Sequence, residues 1–173
     1  MKTLRHLLEE EHSKRQKDLI TQKILSGNFS IQEIVEIVKS NDGIYAQRGA
    51  YVLTGLHDDN PNHLTPFIED LWQAIQTKSH QAIPRAIYRL FSDIDLPEEI
   101  EGEIFEVGSK TFMSKKTAVA IKAHIMKILT NIASKYPELK DEVIFMIKEQ
   151  LPGSSAGYRT TAKRELKRLG VKT

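Results

Sequence analysis

Apolar residues recur along this chain at helical spacing. In "IQEIVEIVK", Ile31, Ile34, Val35 and Val38 fall at i, i+3, i+4 and i+7, one stripe of a helix. "LTPFIEDLWQAI" repeats the pattern with Leu64, Ile68, Leu71, Trp72 and Ile75, and "AIKAHIMKILTNIA" and "LKDEVIFMIKEQL" follow it. Alternation of period two, the mark of a strand, is nearly missing. Proline stands at the head of three amphipathic runs, in Asn60-Pro61, Leu96-Pro97 and Tyr136-Pro137, where a missing N–H costs nothing. "GSS" at 153–155 supplies a glycine to stop one helix and serine to cap the next. The pattern predicts helices at 3–26, 30–39, 44–57, 61–78, 80–92, 97–113, 115–135, 137–151 and 155–169. The first of these has no apolar residue from Glu9 to Asp18, so its middle is either exposed or broken. Short connections make consecutive helices antiparallel neighbours.

The chain also repeats. Arg48 opens "RGAYVL", Arg85 opens "RAIYRL", Lys122 opens "KAHIMK" and Arg159 opens "RTTAKR", with a spacing of 37 residues each time. Three residues beyond each base stand Tyr51, Tyr88, Ile125 and Ala162. A small residue follows the base in three units (Gly49, Ala86, Ala123) and Thr160 in the fourth. Each unit reads as a helix–turn–helix whose second helix carries the base. Neither helix buries its apolar face alone, so stacking of units builds the core.

These units resemble HEAT repeats, the armadillo-type superhelical family. The resemblance rests on "PELKDEVIFMIKEQL" followed by "AGYRTTAKREL", on "PEEIEGEIFEVGSKTFMSKKTAVAIKAHIMKIL", and on the recurring base, over roughly 30–169. It implies an all-α, right-handed α-α superhelix of about four helical hairpins, one domain over 1–173, with 1–29 as an N-terminal capping helix and 30–173 as the repeats. In that family an Asp six residues before the base helps order the turn. Asp42 matches, whereas Ser79, Lys116 and Gly153 stand at the other three positions. The whole chain further resembles small bacterial HEAT-like proteins, some of which carry the name adenylosuccinate lyase. "GSSAGYRTTAKR" has the serines of the lyase signature but not the methionine, lysine and asparagine that follow them.

Composition narrows the function classes. The chain has 173 residues, is 40% hydrophobic and 28% charged, and carries a net charge of only +2, an ordinary soluble composition that by itself demands neither nucleic acid nor lipid. There is no cysteine, which removes disulfides, thiolate zinc sites and a cysteine nucleophile. No apolar window reaches the roughly 18–20 residues of a membrane helix, and "MKTLRHLLEEEH" is not a secretory signal. A cytoplasmic location is expected. Charge is nevertheless uneven: from His57 to Val107 eleven acids meet three bases, a net of −8, and from Gly108 onward fourteen bases meet five acids, a net of +9.

On a helical wheel of the segment 82–91, Ile83, Ala86, Ile87 and Leu90 share one arc, and Arg85, Tyr88 and Arg89 lie away from it. Second helices line the concave face of such superhelices, so the resemblance implies a basic, partly aromatic groove made by Arg48, Tyr51, Arg85, Tyr88, Arg89, Lys122, Arg159 and Lys163. Guanidinium forks hold carboxylates bidentately, which suits an acidic protein or peptide partner. The alternative partner is a nucleic-acid backbone. A DNA-alkylation-repair-like or lyase activity ranks lower: glycosylase chemistry needs aromatic walls and a nearby carboxylate, and the one tryptophan, Trp72, faces the core. The expected role is a non-catalytic scaffold without cofactor or metal. His57, Asp58, Asp59 and His63 cluster at a turn, where capping and solvation explain them better than metal ligation. Glu98, Glu99, Glu101, Glu103 and Glu106 read as a solvated acid cluster that complements a helix dipole.

Overall fold

The computed structural model describes residues 2–77 and 80–172. Among these the regular structure is entirely helical, with ten α-helices and no strand. The chain divides into two compact units, Met1–Ile94 and Asp95–Thr173. No helix among the described residues is long and apolar enough to cross a membrane.

The first unit holds α1 (Leu4–Glu10), α2 (Lys14–Leu25), α3 (Ile31–Lys39), α4 (Gly43–Asp59), α5 (Ile68–Gln76) and α6 (Ala82–Phe91). The single N-terminal helix expected from the pattern is two. The break falls in the stretch without apolar residues, where no apolar burial holds a continuous helix. Ser13 restarts the chain by accepting a hydrogen bond from the Gln16 N–H. The buried side-chain amide of Gln16 reaches back to donate to the Leu7 carbonyl at 2.6 Å. At Ser30 a full capping box with Glu33 starts α3. The run expected from Pro61 opens as a 3-10 helix, Pro61–Phe67, and becomes α-helical only at Ile68. Pro66 explains the delay, since it lacks an N–H and disfavours α geometry at Thr65.

Helix α4 is the hub of this unit, packed against α1, α2, α3 and α6. Every residue from Val52 to His57 is buried, so this stretch has no solvent face. Two glycines let the neighbours come close. A Cβ on Gly49 would stand 3.0 Å from Val38 of α3, and one on Gly55 would stand 2.3 Å from the Thr21 hydroxyl of α2. Trp72 is core, 3% exposed, and tilts against Phe91 with ring centroids 6.3 Å apart.

The second unit holds α7 (Glu98–Met113), α8 (Val119–Lys135), a 3-10 turn at Pro137–Leu139, α9 (Lys140–Glu149) and α10 (Ala156–Arg168). Helix α8 packs against α7, α9 and α10 and buries Ile121, Ile125, Ile128, Leu129 and Ile132. Gly153, with φ of 72°, takes the left-handed turn after α9. Ser155 rather than Ser154 caps α10, accepting from the Tyr158 N–H.

Candidate functional site

The four bases of the 37-residue series fall at matched places in the second helices. Arg85, Lys122 and Arg159 are each the fourth residue of α6, α8 and α10, and Arg48 is the sixth of α4. Their environments differ.

Arg48 is half-buried and bound to the chain itself. Its guanidinium donates to the Leu8 carbonyl at 2.6 Å and the Glu9 carbonyl at 2.9 Å. These are orphan acceptors at the end of α1, where a cation also meets the negative pole of the helix. Asp42 does not order this turn through Arg48. Its carboxylate accepts from Arg5 at 2.8 Å, and Arg5 also lies over the Tyr45 ring at 4.7 Å. Tyr45 in turn donates to Glu9. Of the other positions compared with Asp42, Ser79 lies outside the described residues. Tyr51 is half-buried between the His12 ring, 5.5 Å away, and the Lys17 ammonium, 5.3 Å away. Arg48 and Tyr51 thus hold α1 and α2 onto α4.

Tyr88 does not face outward. It is 2% exposed and belongs to the core. The wheel misplaces it because it allows a helix one buried arc, whereas α6 packs against both α4 and α5. Its counterparts Ile125 and Ala162 are fully buried as well, so this position is a core position in three of the four units. Arg89 pairs with Asp58 of α4 at 2.6 Å.

Lys122 is 8% exposed, a correction to its place on an open groove. Its ammonium donates to the Gln150 side chain at 2.6 Å and stands 6.0 Å from the Phe112 ring centroid. Burial lowers its pKa from the ordinary lysine value, because the charged form loses water. Arg159 is exposed and donates to the Ser154 carbonyl. Arg85 and Lys163 are exposed, and their side chains make no hydrogen bond or ion pair among the described residues.

The turn cluster is dispersed into separate pairs. His63 meets Asp59 at 2.9 Å, buried His57 meets Asp93 at 3.0 Å, and Asp58 is taken by Arg89. Among the described residues no group of three His, Cys, Asp or Glu is placed to hold a metal ion. The acid cluster of α7 is only partly solvated. Glu98, Glu99, Glu103 and Glu106 are exposed, but Glu101 is 2% exposed. It accepts from the Lys135 ammonium at 2.5 Å and the Tyr136 hydroxyl at 3.0 Å. The pKa values of both partners are raised, first by that hydrogen bond. Glu165 of α10 is likewise buried, 1% exposed, and accepts from Arg164 at 2.9 Å and Arg168 at 2.5 Å. Both acids could have been found by spacing. Glu101, Ile104, Gly108 and Phe112 form one stripe, as do Tyr158, Ala162, Glu165 and Leu169, so each acid sits on a core face.

A cleft of about 310 Å³ lies in the first unit, lined by Lys2, Leu7, Glu10, Leu19, Lys23, Asn28 and Phe29. Its carboxylate, Glu10, is bonded by Lys2 and Gln16. The Lys2 hydrogen bond holds the Glu10 pKa below the ordinary carboxylate value.

A family model described as a HEAT repeat domain matches residues 4–169. No curated protein and no solved structure matches the chain.

Proposed function

The chain belongs to the HEAT repeat domain family, and on that premise we propose that it is a non-catalytic scaffold for a protein or peptide partner bearing carboxylates. Membership of this family suggests a scaffold or protein-interaction role, while the partner and the contact surface are the finer reading proposed here. Recognition is by surface complementarity, without bond-making.

One observation carries the reading. Of the eight groove residues expected from the sequence, Arg48, Tyr51, Arg89, Lys122 and Arg159 are engaged with the chain's own groups, and Tyr88 is core. Arg85 is exposed with its guanidinium unengaged among the described residues. A guanidinium fork left in water at a repeat position is suited to a bidentate carboxylate bond. Lys163, in the second unit and at the register of Arg89, is the other open cation of the eight, a point charge rather than a fork.

The test is co-purification of the tagged chain at native expression, followed by the Arg85→Glu chain in the same assay. A charge-assisted bond of about 1.5–3 kcal/mol predicts a loss of partner affinity of roughly 10- to 150-fold. Far-UV circular dichroism checks that the variant stays folded. Unchanged affinity for the same partner overturns the reading.

A further inference from the structure

Helix α10 divides cleanly by chemistry. At about 100° per residue, Tyr158, Ala162, Glu165, Leu166 and the following Leu169 occupy one arc, and all five are buried. The opposite arc carries Arg159, Thr160, Lys163, Arg164, Lys167 and Arg168, all exposed. The helix exposes five cations and no acid. Its one acid, Glu165, is buried beneath Arg164 and Arg168. The side-chain ammonium groups of Lys163 and Lys167 make no hydrogen bond or ion pair among the described residues. The exposed acids of this unit stand on or beside α7 and α9, not on α10.

We propose that the exposed face of α10 binds the phosphate backbone of a nucleic-acid duplex without reading its sequence. This face differs in composition from a protein-binding surface. Protein interfaces are built around aromatic, methionine and arginine anchors packed in desolvated pockets and are depleted in lysine. Here nothing apolar larger than an alanine is exposed: the helix's aromatic, Tyr158, is 3% exposed and stacks on Phe112 with ring centroids 6.3 Å apart. The same lack of an exposed aromatic removes base stacking, and with it a preference for single strands. It also leaves no apolar face to insert into a membrane surface. What remains is a row of charge, Arg159, Lys163 and Lys167 at successive turns. The row is about 12 Å long, and one strand of B-form DNA presents three to four phosphates over that length of axis.

The experiment is fluorescence anisotropy of the full chain with a labelled DNA duplex of arbitrary sequence, titrated at several salt concentrations. Three to four phosphate contacts predict that affinity falls roughly 40- to 150-fold between about 50 and 200 mM salt. The Lys163→Glu/Lys167→Glu chain is expected to lose at least tenfold affinity at low salt and to show a salt slope shallower by about two. Lys14→Glu/Arg15→Glu, an equal charge change on exposed positions of α2, is the control and is expected to keep the wild-type slope. Three results would overturn the proposal: no binding at low salt, equal losses in the two variants, or polyglutamate displacing the duplex at matched charge. The last would make the partner an acidic protein instead.

Discussion

Lys122 is the base of the 37-residue series that the fold takes furthest out of water, at 8% exposure. Its folded pKa is lowered by burial from the ordinary 10.5. The sign of the linkage follows. Below the folded value the lysine is charged in both states, and the folded state bears the cost of desolvation. Between the folded and unfolded values the unfolded chain binds more protons, so stability rises with pH through that window. Lys122→Met removes both the cost and the slope. Its lost bond to Gln150 offsets the gain by about 1 kcal/mol. The expected outcome at neutral pH is a chain at least as stable as wild type, with an alkaline rise in stability smaller than that of wild type, read by denaturant unfolding at pH values from neutral toward 10.5. Comparison with wild type cancels Lys135, whose raised pKa contributes stability that is lost at alkaline pH. Gly55 is constrained by space rather than charge. A Cβ there meets the Thr21 hydroxyl, itself bonded to the Lys17 carbonyl at 2.9 Å. Gly55→Ala gains helix propensity but forces α2 away, for a net loss of about 1–2 kcal/mol. Adding Thr21→Ala should restore most of it in thermal melts; no recovery would mean the two helices do not touch at this point.

At the scale of the element, what the sequence tells depends on how many sides a helix buries. Helix α3 has one buried stripe and a capping box, and its predicted span, 30–39, matches Ile31–Lys39 within a residue. Helix α4 has no polar face from Val52 to His57, so its pattern gives the helix but not its neighbours. The wheel of α6 puts Tyr88 in water because the second contact face of that helix lies outside its apolar arc. Glu101 is the converse case: a charge on a core stripe, legible by spacing and passed over because acids in a first turn are usually solvated. Glu101→Ala leaves the Tyr136 hydroxyl and the Lys135 ammonium without their acceptor. Lys135 is 42% exposed and rehydrates, so a loss of about 1–3 kcal/mol is expected rather than the full cost of a buried unpaired charge.

Over the whole molecule, the repeat was legible because residue spacing is additive along the chain, whereas the work of each base was not, because it depends on which carbonyl or carboxylate lies within reach. Four bases at one period serve four ends: a helix terminus, open solvent, a half-buried amide and a loop carbonyl. The two compact units can be followed by different signals. Trp72, the one tryptophan, lies in the first unit, so its emission follows that unit, whereas far-UV circular dichroism follows both. Repeat arrays derive stability from local terms. In the Glu101→Ala chain the circular dichroism melt is therefore expected to begin below the temperature at which Trp72 emission shifts. Coincident curves would show that the two units melt as one. A different consequence attaches to Arg48. The segment Leu4–Glu10 occupies its guanidinium in the manner of a short bound peptide, with Leu4, Leu7 and Leu8 buried and the Leu8 and Glu9 carbonyls gripped. A chain clipped after Glu10 would thus present a ready-made vacancy, a leucine-shaped floor beside an idle arginine, to whatever helix end came next.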